Sequence, residues 1–179
     1  MAQQEVSAYG SWTSPITSAS IAGSSVSLNY LNLHQSTLYW IEGRPTEKGR
    51  NVITTINKAD GDEEKKADTD VDATAVNKKD ITPKELSSSS RVHEYGGMPF
   101  IVLKDGRHLT SNDDDGKLYV LNDTEDYEAI TDEYSLGKYL YCDMDQNPMR
   151  PSQVYAVREE HMSDDKPSEV VNCLVCIDM

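Results

Sequence analysis

From Val26 onward the apolar residues come in short runs, often alternating with polar ones and closed by turn-forming residues, a pattern of many short strands rather than helices. The run Val26-Ser27-Leu28-Asn29-Tyr30-Leu31-Asn32-Leu33 is the clearest, and a period of two puts Val26, Leu28 and Tyr30 on one face. Further strands are expected over 37–42, 51–57, 99–103, 117–121, 138–143, 153–158 and 170–177. No window of comparable strength has the 3.6-residue period of an amphipathic helix. Glu42-Gly43-Arg44-Pro45, Lys104-Asp105-Gly106, Asp113-Asp114-Asp115-Gly116 and Asp145-Gln146-Asn147-Pro148 separate the strands with residues that accept left-handed backbone or fix φ. Short strands at such intervals suggest a sandwich or a propeller.

One segment does not fit. From Ala59 to Asp80 the chain is charged and nearly free of large apolar side chains, so it cannot offset its own ordering entropy and reads as an acidic, disordered hairpin insertion at 59–80. It helps to account for the low apolar share, 37%, beside 27% charged residues. The 179 residues otherwise fit a single domain.

A formal charge of −14 opposes binding to nucleic acid or an anionic membrane surface, both of which require clustered cations. Met1 to Gly10 holds no basic flank followed by an apolar run, and no stretch approaches the ~20 apolar residues of a membrane span. The expectation is a cytoplasmic chain without a membrane partner. Cys142, Cys173 and Cys176 make an odd count, which argues against a disulfide framework, and the sequon Asn122-Asp123-Thr124 is then expected to be unused.

Four blocks carry a resemblance: Tyr9-Gly10-Ser11-Trp12-Thr13-Ser14-Pro15-Ile16; Trp40-Ile41-Glu42-Gly43-Arg44-Pro45 with Gly49-Arg50; Arg91-Val92-His93-Glu94-Tyr95-Gly96-Gly97; and Val157-Arg158-Glu159-Glu160-His161. Together with the tail Glu169 to Asp178 they resemble the N-terminal β-propeller of acylaminoacyl-peptidase-like and dipeptidyl-aminopeptidase-like serine peptidases of the prolyl oligopeptidase family. The resemblance implies a propeller lying over an α/β-hydrolase domain normally on the same chain, where it restricts which peptides reach a serine nucleophile. Two departures stand out: Met98-Pro99 follows the glycine pair where a small residue is expected, and Asp113-Asp114-Asp115 is unusually acidic. The residues agree that chemistry lies elsewhere, because a nucleophile elbow needs Gly-x-Ser-x-Gly and the nearest segment, Gly23-Ser24-Ser25-Val26-Ser27, lacks the second glycine. At roughly 40–45 residues per blade, the expected fold is an all-β partial propeller of about three antiparallel blades over residues 1–179, with a ring that this chain alone does not close.

The candidate substrate contacts are His93, Glu94, Arg158, Glu159, Glu160 and His161. The glycines after His93-Glu94 let backbone approach closely, and the charged side chains could meet a peptide terminus; the structural alternative is a hydrogen-bond network that anchors the blade. Glu159 and Glu160 could bind an ammonium group. Neighbours in a strand point to opposite faces, however, which favours an ion pair with Arg158. No catalytic residue, cofactor or metal is expected. Asp113 to Gly116 and Asp143 to Asn147 both miss the EF-hand spacing. Cys173-Leu174-Val175-Cys176 has no second ligand pair and reads as two buried strand thiols, and Trp12 and Trp40 as packing residues.

The sequence therefore points to the non-catalytic propeller portion of a serine peptidase that gates or orients peptide substrates. The alternative is a stand-alone interaction module that binds partners by loops and strand edges. A complete small hydrolase would need a base among His34, His93, His108 and His161 and a nucleophile that the sequence does not assemble.

Overall fold

The computed structural model describes residues 8–11, 14–22, 25–56, 78–122, 126–131, 138–161 and 169–179. Among them the chain forms three antiparallel sheets, each a meander of consecutive strands. The first holds β1 (Ser27–His34), β2 (Thr37–Arg44), β3 (Arg50–Ile56) and β4 (Lys78–Asp80). The second holds β5 (Phe100–Val102), β6 (His108–Ser111), β7 (Leu118–Leu121) and β8 (Tyr127–Ala129), and the third β9 (Tyr139–Gln146), β10 (Gln153–His161) and β11 (Val170–Asp178). These are the blades of a partial β-propeller, and the described strands close no ring. A five-residue helix, α1 (Ser18–Ala22), precedes them. No helix among the described residues is long and apolar enough to cross a membrane.

The second sheet is covered on both faces. Phe100 and Leu121 pack against Ile41 and Ile53 of the first sheet, while Ile101, Leu109, Leu118 and Val120 meet Tyr141, Met144, Val154 and Ala156 of the third. The alternation of Phe100 and Ile101 across the pleat produces this division. Each fully buried Leu, Ile, Val or Phe contributes about 1.5–3 kcal/mol relative to exposure, so the two interfaces supply most of the packing energy.

Every strand expected from the alternation forms, with ends shifted by a few residues. β4, β6 and β8 form in addition, where the sequence carries no alternation signal. The first of these corrects the acidic insertion: Lys78–Asp80 pair with Ile56, Thr55 and Thr54, while residues 57–77 lie outside the described residues. A second correction concerns β1. Its register slips between Asn29 and Asn32, with Tyr30 at φ 54°, so a bulge interrupts the period of two. Leu28 pairs with Glu42 and Leu33 with Leu38, which places Leu28 and Leu33 on one face and takes Tyr30 out of the series.

Glu42 links three parts of the first sheet. Its buried carboxylate accepts from Trp40 Nε1 at 3.2 Å, Arg44 Nη2 at 3.0 Å and Lys78 Nζ at 2.9 Å. Arg44 in turn grips Asp80 with two bonds of 2.7 Å, so β2 and β4 are tied across β3.

Candidate functional site

Between β4 and β5 the chain does not pass directly from the first sheet to the second. Ser88 donates its N–H to the Asn51 carbonyl and Ser89 its N–H to the Ser111 carbonyl, each within 3.1 Å. The chain then reaches the third sheet, where a 3-10 turn over Val92–Glu94 packs Val92 against Leu140, Cys142 and the half-buried Val157. Met98 and Asp143 exchange hydrogen bonds of 2.9 Å, Met98 N–H to the Asp143 carboxylate and Asp143 N–H to the Met98 carbonyl. Only then does β5 begin.

The glycine pair makes this route possible. A Cβ on Gly97 would stand 2.6 Å from Cys142 Sγ and 2.9 Å from Asp143 Oδ2. Gly96, at φ 79°, takes the left-handed backbone that glycine adopts without strain, and a Cβ there would lie 2.7 Å from the Ser90 carbonyl oxygen. Met98 follows them because it turns away, onto the core between the first two sheets.

His93 and Glu94 precede the glycines at φ 56° and 63°, a conformation that costs non-glycine residues about 1–3 kcal/mol each. Glu159 holds the turn in place. Its side chain is only 5% exposed, and one oxygen accepts the His93 backbone N–H at 2.7 Å, with His93 Nδ1 3.7 Å away. The other oxygen lies 2.9 Å from His161 Nε2. Of the candidate residues, His93, Glu159 and His161 thus meet around one carboxylate.

Arg158 and Glu160 lie on the opposite face of β10, as the pleat requires, and pair with each other at 3.2 Å. The Arg158 guanidinium stacks on Tyr139 at 4.5 Å. Glu94 differs from the other two glutamates: it is exposed, and no described residue pairs with its carboxylate. Tyr30 joins the site unannounced by any motif, its hydroxyl 3.5 Å from where a Cβ on Gly96 would sit. The bulge in β1 and the positive φ of Tyr30 are its structural marks, and neither can be read from alternation.

Cys142 lies beneath the turn. Burial first, then its hydrogen bond with the Asp143 carboxylate, pushes its thiol up to about 12. Cys176 corrects an expectation: it is exposed and Cys173 is only half-buried, because no described strand covers the far side of β11. Titration of the native chain with an aromatic disulfide is expected to modify Cys176 first and to spare Cys142 until the chain unfolds; early labelling of Cys142 would contradict the burial described here.

The site therefore offers one outward carboxylate on a rigid turn, braced by a second, buried carboxylate. Among the described residues, no three or more His, Cys, Asp or Glu are placed to hold a metal ion. No family model and no curated protein matches the sequence. Two solved structures share the fold: a Mycobacterium tuberculosis puromycin-hydrolyzing peptidase, with a TM-score of 0.74 at 21% identity, and a puromycin hydrolase, with 0.72 at 22%. Each likeness covers 98% of this chain and 25% of the other, so the chain spans about a quarter of the length of those structures.

Proposed function

We propose that the chain is the propeller portion of a serine peptidase of the prolyl oligopeptidase family, non-catalytic by itself, which orients and filters peptides for a hydrolase domain on the same polypeptide. The observation that carries this reading is the fold shared, over nearly the whole chain, with a puromycin-hydrolyzing peptidase and a puromycin hydrolase. The missing nucleophile elbow agrees with a non-catalytic role.

Within that role, Glu94 is the residue suited to contact a peptide. Strained backbone maintained by a buried brace is a common mark of a functional position, and an unpaired carboxylate on it can accept from a peptide α-ammonium group. Glu159 and Glu160 serve as brace and ion-pair partner, and His93, Arg158 and His161 set the shape around them. Calorimetry with a short peptide, free or acetylated at its N-terminus, tests the assignment. The free peptide is expected to bind at least about tenfold tighter, and Glu94→Gln to abolish that preference, as for the loss of one charge-assisted hydrogen bond. Equal binding of the two peptides would rule out the contact.

An interaction module is the second reading. It is favoured by exposed Leu28, Leu31 and Leu33 on β1 and Leu174 on β11, strands whose outer edges have no partner among the described residues. An antibody to residues 43–50 separates the two: a native band several-fold heavier than 20.0 kDa supports the peptidase portion, and one at 20.0 kDa the module.

A further inference from the structure

A second candidate site shares no residue with the His93–Glu94 turn. The β2–β3 turn, β4 and the segment after it border a cleft of about 1040 Å³, with Asn122 and Tyr127 of the second sheet on another side. In a chain of formal charge −14, this cleft is lined by five Lys or Arg against three Asp or Glu.

The two arginines are already engaged. Arg44 is held by Asp80 and Glu42, and Arg50 by Glu47 and the carbonyls of Pro83 and Leu86. These bonds stiffen the cleft and consume Glu47 and Asp80, two of its three carboxylates. Lys48, Lys79 and Lys84 are left exposed, and no described residue pairs with their ammonium groups. The Lys48 backbone is fixed in the left-handed region at φ 60°, closing a turn in which Gly49 N–H bonds to the Arg44 carbonyl at 3.1 Å. Glu85, the third carboxylate, is exposed beside them, so the three lysines outnumber it and focus positive potential around a stiff concavity.

We propose that this cleft binds an acidic polypeptide segment, its carboxylates facing Lys48, Lys79 and Lys84. Phosphate is the less suitable anion, since its strongest side-chain grip is a bidentate guanidinium and both forks here are occupied. An adjoining hollow of about 320 Å³ carries Glu47, Glu85, Asp113 and Asp114 beside Lys48, Arg50 and Lys84, so its acidic side bounds the site for such a segment.

Fluorescence anisotropy of a labelled oligo-glutamate peptide at low salt tests the proposal. Binding is expected, with a loss of about tenfold in the triple variant Lys48→Gln, Lys79→Gln, Lys84→Gln, three exposed ion pairs being removed. The melting temperature of that variant is expected to stay unchanged, since the lysines bear no packing. A control with the same charge change at Lys104, Lys117 and Lys138 is expected to bind as the parent does. Absence of peptide binding, equal loss in both variants, or displacement of the peptide by equimolar inorganic pyrophosphate would each overturn the assignment. None of these outcomes depends on whether Glu94 contacts a peptide.

Discussion

Replacement of Glu42 by alanine is expected to destabilise the chain by about 3–5 kcal/mol, the range for breaking a buried ion pair on one side only. The carboxylate is 6% exposed and satisfies Trp40 Nε1, Arg44 and Lys78 together. Without it Arg44 keeps Asp80 and Glu47 at the rim, while the indole N–H beneath loses its acceptor. Urea unfolding of the variant and parent measures the difference. A loss below about 1 kcal/mol would mean that water replaces the carboxylate, as at an exposed pair.

The same group makes stability sensitive to acid. Burial pushes the Glu42 carboxyl up, but the hydrogen bonds from Lys78, Arg44 and Trp40 together outweigh it and hold the group below the ordinary carboxylate range. Asp80 is held low as well, chiefly by Arg44, although its half-exposed side chain contributes less because water screens it. For a lowered carboxyl, the stabilisation is complete above the unfolded value, about 4, and is lost as pH falls through the folded one. Unfolding midpoints should therefore drop below about pH 4, and the Glu42→Gln chain should lose less over that interval.

Glu159→Ala is expected to cost about 1–3 kcal/mol and to release the turn. The substitution leaves the His93 N–H without its acceptor and removes what offsets the left-handed backbone of His93 and Glu94. Hydrogen exchange reads this directly: the His93 amide should lose protection while amides of β5 to β7 keep theirs. Unchanged exchange at His93 would mean that Val92 packing and the glycines hold the turn without Glu159.

The sequence made the fold legible where side chains alternate. β2, β3, β7 and β10 carry runs such as Leu38-Tyr39-Trp40-Ile41 and Val154-Tyr155-Ala156-Val157, whose chemistry fits a pleated, largely covered sheet. β6 carries no such signal, because His108-Leu109-Thr110-Ser111 is largely polar although all four residues are buried. Thr110 bonds to the Pro99 carbonyl and Ser111 to the Tyr141 carbonyl, so burial costs these hydroxyls little. β4 and β8 span three residues each, too few for any periodicity.

The site was legible in outline. The glycine pair after His93-Glu94 signalled close backbone approach, and alternation separated Glu159 from Glu160. What alternation could not supply was which of the two faces is covered: Glu159 is buried because the turn over Val92–Glu94 lies on its side of β10, a contact between residues 66 apart. Tyr30 and the exposure of Cys176 were hidden for the same reason, being set by a bulge and by which strand lies outermost.

The path of the linker has a consequence for how the chain unfolds. In an array where each repeat touches only its neighbours, units can melt separately, and stability is a sum of local and nearest-neighbour terms. Here the segment between β4 and β5 is fastened to the third sheet before β5 begins the second, so a next-nearest coupling is built into the connection itself. Fraying of either outer sheet must also tear this strap from β9 or from β3. The three sheets are thus joined into one cooperative unit, in which opening at one end is reported at the other.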